Sequence, residues 1–113
     1  MQFNHEKLDV YKVALEFLAF AYQIIKKIPP GFGFLADELK RSAHSSVVNI
    51  AEGSGKFSPK EKARYYKIAR GSADESSATL DSLFTFQIIT PQERNKGRKL
   101  LYREVCMLSK MIF

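Results

Sequence analysis

The chain has 113 residues, 45% of them hydrophobic and 12% aromatic, which describes one globular domain and excludes a disordered chain. Its single cysteine, Cys106, excludes an internal disulfide and predicts a protein of the reducing cytoplasm. The net charge is +6, yet segments 56–70 and 94–103 each carry +5, so the rest of the chain is acidic. Two basic segments on an acidic body favour a polyanionic partner such as nucleic acid, although cations that merely solvate helix faces would give the same charge.

The amino-terminal quarter of the chain predicts one long helix. An apolar stripe with alternating spacings of three and four residues runs from Tyr11 to Ile28 and predicts helix one at about residues 8–28, with Pro29 and Pro30 stopping it. A second apolar stripe lies one position away, which is more than one core face needs. This stripe could widen the core face, but it also suits a subunit interface, which we expect to form through Val13, Phe17, Phe20 and Ile24.

No membrane span is predicted in this helix. Its apolar stretch is interrupted by Lys12, Glu16 and Gln23 and is shorter than the roughly 20 residues that a bilayer requires. The residues before it lack a basic region followed by an apolar one, so they make a poor signal peptide.

Three further helices follow from their stripes and start signals. Helix two is predicted at about 34–54, with a stripe of Leu35, Leu39, Ala43, Val47 and Ile50. Gly53, Ser54 and Gly55 are expected to end it, because such residues tolerate left-handed backbone. Ser58 and Thr90 each precede a proline and, three positions on, a glutamate, which is the start signal of a helix. Helices three and four are therefore predicted at about 59–88 and 91–112.

Four helices, short connections and no strand pattern predict an all-α fold, a single domain over residues 1–113 that forms an antiparallel up-down-up-down four-helix bundle. Small residues in helix three should let its neighbours approach closely; its stripe is Ala69, Ser72, Ala73, Ser76 and Leu80. Helices three and four would then start at opposite ends, so the two basic segments should form separate patches.

Catalytic and cofactor motifs are weak. Gly53-Ser54-Gly55-Lys56 has only part of a phosphate-loop pattern, because Ile50 replaces its first glycine and Phe57 its final Ser or Thr. His5 and His44 have no ligand at helical spacing, and Cys106 lies in an apolar stretch, where a buried, inert thiol is expected. We predict no metal, no cofactor and no enzymatic activity.

A polar group spans the end of helix two and the middle of helix three. Asn49, Glu52, Arg70 and Glu75 could form an active site or an ion-pair network that holds the two helices in register. The network is favoured because no nucleophile or base accompanies the group.

Several segments together resemble a known family. They are Leu8-Asp9-Val10-Tyr11, Leu39-Lys40-Arg41-Ser42-Ala43, Asn49-Ile50-Ala51-Glu52-Gly53-Ser54-Gly55-Lys56, and Ile68-Ala69-Arg70-Gly71-Ser72 followed by Glu75. The chain resembles the bacterial four-helix-bundle family associated with intervening sequences inside 23S ribosomal RNA genes. The motif positions that carry the resemblance most specifically are Asn49, Glu52, Gly53, Arg70, Gly71, Ser72 and Glu75.

The resemblance implies a homo-oligomeric bundle, expected as a pentameric ring, of poorly defined function and sometimes labelled ribosomal. The family is also similar in architecture to the accessory proteins of diversity-generating retroelements, whose basic barrels bind nucleic acid and a reverse transcriptase. We expect binding of RNA or DNA through phosphate contacts, with a protein-interaction scaffold as the alternative. The expected nucleic-acid contacts are Lys56, Lys60, Arg64, Lys67, Arg70, Arg94, Lys96, Arg98 and Lys99.

Overall fold

The computed structural model describes residues 1–113 and contains helices only. A short 3-10 helix, Asn4–Lys7, precedes four α-helices: α1 (Asp9–Ile25), α2 (Gly33–Ser54), α3 (Pro59–Thr85) and α4 (Pro91–Ile112). The all-α prediction is confirmed, and the bounds of α4 agree with those predicted. None of the helices has an apolar stretch long enough to cross a bilayer.

Each α-helix packs against two others. Helices α1 and α3 both contact α2 and α4, whereas no Cα atoms of the diagonal pairs lie within 8 Å of each other, which is the packing order of a four-helix bundle. The predicted stripes of α2 and α3 are buried at every position. A large apolar cluster includes Ile24, Leu35, Leu83 and Ile89, beside the α1–α2 and α3–α4 connections. A smaller cluster at the other end is formed by Val10, Ala14, Val47, Ile50, Tyr66, Ala69 and Leu108.

Polar contacts between α2 and α3 run in opposite order along the two helices. The hydroxyl groups of Ser42 and Ser76 lie 2.7 Å apart, and Ser72 donates to the hydroxyl of Ser45 at 2.9 Å. At the end of α2 the ammonium group of Lys62 donates to the carbonyl oxygen of Ser54 at 3.0 Å. This cation satisfies a terminal carbonyl, as a basic side chain near a helix C-terminus does.

Helix α2 ends at the predicted position, Ser54. Gly55, which follows the helix, has a φ of −88°, and Gly53 lies inside the helix. Neither residue adopts left-handed backbone. The tolerance of these glycines for left-handed backbone is therefore not used, and Lys62 satisfies the carbonyl of Ser54 instead.

Both predicted start signals begin a helix. The amide of Glu93 donates to Thr90 Oγ1 at 3.1 Å, and the amide of Thr90 donates to a carboxylate oxygen of Glu93 at 2.8 Å, which completes the capping box of α4. In α3 the amide of Glu61 donates to Ser58 Oγ at 3.1 Å. The Glu61 carboxylate accepts from the Ser58 hydroxyl at 3.3 Å instead of from its amide, so only half of the box forms.

Helices α1 and α3 end three residues before their predicted ends. After α1 the amide of Ile28 bonds to the carbonyl of Ile25 at 3.1 Å in a tight turn, since Pro29 disfavours helix for the residue before it. After α3, Gln87 has a φ of +62°, and the amide of Ile88 bonds to the carbonyl of Leu83 at 2.9 Å. A glutamine occupies the left-handed position at which glycine is usual, so the sequence pattern did not indicate this helix end.

The expected oligomer interface on α1 is wrong for most of its residues. Val13, Phe17 and Ile24 are 4%, 1% and 2% exposed within the chain itself, and Phe20 is half-buried against the same core. Because α1 contacts both α2 and α4, its buried sector is wide enough to include most of both stripes. The large apolar side chains that α1 exposes are instead those of Leu15 and Tyr22.

Helices α1, α3 and α4 approach closely at Gly97. A Cβ atom built on Gly97 would lie 2.5 Å from Leu80 Cδ1 and 2.8 Å from Phe20 Cε2. Glycine costs about 1 kcal/mol relative to alanine inside a helix. In return the glycine permits the close approach, because a Cβ atom here would force the side chain of Leu80 or Phe20 to shift.

We expect Gly97→Ala to destabilise the protein by about 1–2 kcal/mol, because overpacking costs about 1–3 kcal/mol and exceeds the gain in helix propensity. Gly71→Ala is the matched control: it also lies inside a helix, but a Cβ there would meet nothing within 4 Å. It should stabilise the protein by up to ~1 kcal/mol. Urea unfolding of the two variants measures both effects, and equal stabilisation would disprove the close-packing argument.

Candidate nucleic-acid interface

The first basic segment presents a row of cations along α3. Lys60, Arg64 and Lys67 are all exposed and follow i, i+4, i+7 spacing, so they share one face of the helix. Tyr66 and Ala69, between and beside them in sequence, are buried in the core. None of the three cations forms a salt bridge within 4.0 Å, so their charges are available to an external anion.

Aromatic rings accompany these cations at the α2–α3 connection. The ammonium of Lys56 lies 5.0 Å from the ring centroid of Tyr65, and the guanidinium of Arg64 lies 5.2 Å from the same ring. Lys56 also lies 3.7 Å from the carboxylate of Glu52. The ring of Phe57 is 99% exposed. Sequence reasoning did not single out Phe57, although an aromatic residue inside a basic segment was visible.

The second basic segment borders a groove between α3 and α4. Arg98 and Lys99 are exposed and line it together with Tyr102, whose side chain is 71% exposed. The groove also contains Asp74, an acidic group, and Arg103, a cation that was not among the expected contacts. This surface therefore combines cations and an aromatic ring with one opposing carboxylate.

Two cations of the second segment have intramolecular partners. Arg94 donates to the carboxylate of Asp81 at 2.9 Å and lies 4.9 Å from the ring centroid of Phe84, so it ties α4 to α3. The ammonium of Lys96 lies 5.8 Å from the ring centroid of Phe20. Arg94 is thus occupied by protein contacts and is a weaker candidate for a phosphate than its neighbours.

An ion pair next to this segment fixes the start of α4. Lys27 donates to both carboxylate oxygens of Glu93 at 2.8 Å. Partial burial raises the pKa of Glu93, but the hydrogen bonds from Lys27 and the Thr90 amide, together with the charge of Lys27, outweigh it. The pKa of Glu93 is therefore lowered, and the carboxylate stays ionised against the α4 N-terminus.

The nine expected contacts fall into two groups. Lys56, Lys60, Arg64, Lys67 and Arg70 lie at the α2–α3 connection and on the first half of α3, whereas Arg94, Lys96, Arg98 and Lys99 lie on the first half of α4. Only two of the nine, Lys56 and Arg94, have a carboxylate within 4.0 Å. Arg70 is half-buried and has no such partner.

The expected network of Asn49, Glu52, Arg70 and Glu75 does not form. The amide nitrogen of Asn49 donates to the carbonyl of Ser45 at 2.9 Å, one turn back on its own helix. Glu52 pairs with Lys56 instead, and Glu75 pairs with Arg41. These partners are nearer than Arg70, so the predicted network is wrong.

Other motif positions hold α2 against α3. A Cβ atom on Gly53 would lie 2.6 Å from Cε1 of Tyr66, so the glycine lets the ring pack on the helix backbone. Burial raises the pKa of Tyr66. Ser72 links the two helices through Ser45, as described above. Gly71 is exposed and makes no such contact.

The centre of the bundle contains a buried acid. Glu104 is 0% exposed; one carboxylate oxygen accepts from the hydroxyl of Ser46 at 2.7 Å, and the other has no hydrogen-bond partner. Burial raises the pKa of Glu104 to about 7, against a smaller opposite effect of the Ser46 hydrogen bond. Sequence reasoning missed this residue, although its spacing from Leu101 and Leu108 placed it on the apolar stripe of α4.

No group of three His, Cys, Asp or Glu side chains is placed to hold a metal ion. Cys106, expected to be buried, is half-buried.

Comparison with protein families gives a match over almost the whole chain. The family model of the 23S rRNA-intervening sequence protein matches residues 6–112. The chain belongs to this family. No curated protein matches this member of the 23S rRNA-intervening sequence family.

A crystal structure from Bacteroides thetaiotaomicron shares the fold of this family member. That protein is described as one of unknown function from the S23 ribosomal protein family. It is 21% identical in sequence, the match covers 91% of this chain and 97% of that one, and the TM-score is 0.84.

Proposed function

We propose that this member of the 23S rRNA-intervening sequence family is a non-enzymatic protein that binds RNA or DNA through phosphate contacts, with little dependence on sequence. The observation that carries the proposal is the row of Lys60, Arg64 and Lys67, which are exposed on one face of α3 without carboxylate partners. When such cations neutralise the phosphates of a nucleic acid, the counterions condensed on the phosphates are released, which favours binding.

The position of this row of cations slightly lowers the stability of the free protein. Lys60 and Arg64 lie in the first two turns of α3. A cation in the first turn of a helix is repelled by the helix dipole, which costs about 0.3–1 kcal/mol of stability. A negatively charged ligand would offset that repulsion. The arrangement therefore fits a surface whose charge serves binding and not folding.

The proposal includes an antiparallel up-down-up-down bundle that forms a homo-oligomer, expected as a pentameric ring. The opposite order of the α2–α3 contacts supports the topology. Leu15 and Tyr22, which are 41% and 59% exposed, border an apolar groove on α1 that Lys40 of α2 also lines. We place the subunit interface on this face, and a ring would repeat the α3 cations so that weak phosphate contacts add.

The same apolar face supports the second candidate function. A protein-interaction scaffold would use the groove around Leu15 and Tyr22 for a different protein, without a direct nucleic-acid role. The two functions differ in their response to salt, since phosphate contacts give a steep negative dependence of affinity on salt concentration.

The test of the proposed function is a triple variant, Lys60→Gln, Arg64→Gln and Lys67→Gln. We expect weaker binding of structured RNA and duplex DNA alike, and a salt slope that flattens by about 1 for each lost phosphate contact. Fluorescence anisotropy titrations at several salt concentrations give both quantities. Helicity and oligomer size should stay unchanged, because the three side chains are exposed.

A second triple variant controls for net charge. Lys7, Lys12 and Lys110 are exposed and outside both basic segments, so their replacement by Gln removes the same charge from elsewhere and should leave the salt slope nearly unchanged. If the α3 variant binds with unchanged affinity and slope, this face is not the nucleic-acid surface. If the unmodified protein shows no salt-dependent binding, the scaffold function is favoured.

A further inference from the structure

The connection between α2 and α3 displays an almost fully exposed aromatic ring in a basic segment. Phe57 is 99% exposed, whereas each apolar residue of the small core cluster at this end is at most 7% exposed. An exposed phenyl ring contributes nothing to the core and keeps its apolar surface in water. The ring is therefore free to contact a ligand without disturbing the core.

The segment that carries Phe57 is held in place on both sides. The amide of Lys56 donates to the carbonyl of Gly53 at 3.2 Å, and Ser58 caps α3 through the amide of Glu61. Lys62 reaches back to the carbonyl of Ser54. The ring thus projects from a short, hydrogen-bonded turn, which lowers the entropy lost when it stacks on a ligand.

The charges near the ring are mainly positive. Lys56 precedes Phe57 and packs against Tyr65, while Lys60 and Arg64 are exposed on the first two turns of α3. Of the nearby acids, Glu52 is paired with Lys56 and Glu61 is engaged with Ser58. A ring with cations on the adjoining helix offers a face for a base and contacts for the phosphates that flank it.

We propose that Phe57 is a stacking platform for an unpaired base, and that the preferred ligand of the α3 surface is single-stranded nucleic acid. This inference rests on the proposed function and makes it more specific. In a duplex the faces of the bases are covered by their neighbours, so a projecting ring finds no free face; in a single strand every base offers one. Lys60 and Arg64 then hold the phosphates on either side of the stacked base.

The test compares Phe57→Ala with the unmodified protein on a 12-nucleotide oligo-uridine and on a duplex of the same length. Stacking on an aromatic residue is sequence-tolerant, and its removal should weaken single-strand binding about 5- to 100-fold. Duplex affinity and both salt slopes should stay unchanged, because the phosphate contacts remain. The variant should fold normally, since the ring is almost fully exposed. Phe34→Ala is the matched control: that ring is 58% exposed but lies near Asp37 and Glu38 in sequence.

A tryptophan at this position reports stacking directly. The chain contains no tryptophan, so Phe57→Trp introduces the only indole, and oligo-uridine should quench its fluorescence while retaining near-normal affinity. Equal single-strand affinity of Phe57→Ala and the unmodified protein, or an unquenched indole at saturation, would overturn the stacking role while leaving the phosphate surface intact. Absence of salt-dependent binding to either oligonucleotide would instead reject the proposed function itself.

Discussion

At pH 8 the Glu104→Gln variant is expected to be more stable than the unmodified protein by about 3 kcal/mol, and near pH 4 the two should be equally stable. The reason is the burial of Glu104, which raises its pKa from 4.5 to about 7. Glutamine has nearly the same shape and keeps a hydrogen bond to Ser46 within reach, but it carries no charge at any pH.

The direction of the pH dependence follows from the raised pKa. Below pH 4.5 the carboxyl group is protonated in both the folded and the unfolded chain, and folding costs nothing for ionisation. Between pH 4.5 and about 7 the unfolded chain loses this proton while the folded chain keeps it. The free energy of unfolding therefore falls by about 1.4 kcal/mol per pH unit in this window and levels off above it.

Urea unfolding at pH 4, 6 and 8 measures the effect. The quantity to compare is the difference between Glu104→Gln and the unmodified protein, because other carboxylates such as Glu93 contribute equally to both. Glu16 is exposed and has no salt-bridge partner, so Glu16→Gln controls for the loss of a carboxylate. A stability difference that is the same at all three pH values would show that Glu104 does not titrate in this range.

The buried acid also marks a limit of sequence reasoning. Periodicity correctly predicted that positions such as Leu101 and Leu108 face the core, but it gave no reason to expect a carboxylate between them. Ser42, Ser46 and Ser76 are buried beside apolar residues, and serine at such a position looks like any small residue. Their hydrogen bonds to one another and to Glu104 join positions 34 and 58 residues apart, which spacing alone does not show.

Features encoded in a few adjacent residues were the most predictable. The capping chemistry of Thr90 and Glu93 lies within one turn of helix, and the start of α4 was predicted correctly. The end of α3 depends on a left-handed Gln87 and on the burial of the neighbouring Ile89. That end is decided by packing against the rest of the chain, which a local pattern does not contain.

The positive charge of the candidate site could be predicted from the sequence, but its ion pairs could not. The cluster of cations at Lys60, Arg64 and Lys67 was visible because segment charge is a property of composition. The engagement of Arg94 by Asp81 was not, since the two residues are 13 positions apart on different helices. Phe57 looked like any aromatic residue until its exposure was known.

The two faces of α1 show a further limit, because an apolar stripe indicates that a surface is covered but not by which chain. Phe17 is 1% exposed and belongs to the core of the chain, whereas Tyr22 on the same helix is 59% exposed. Phe17→Ala is therefore expected to lower the free energy of unfolding by about 3–5 kcal/mol, since it removes a buried ring and leaves a cavity. Tyr22→Ala should change the stability of the folded chain by roughly 0.5 kcal/mol or less.

Oligomer size, unlike stability, is expected to depend on the exposed face of α1 and not on the buried ring of Phe17. Under the proposed assembly, Tyr22→Glu combined with Leu15→Glu should reduce the mass measured by light scattering while circular dichroism stays unchanged, because both side chains lie on the exposed apolar face of α1. Phe17→Ala should retain the oligomer under conditions in which it remains folded, because its ring faces inward. A Phe17→Ala protein that is fully stable but monomeric would restore the buried stripe as the interface. An unmodified protein that is monomeric at micromolar concentration would reject the assembly.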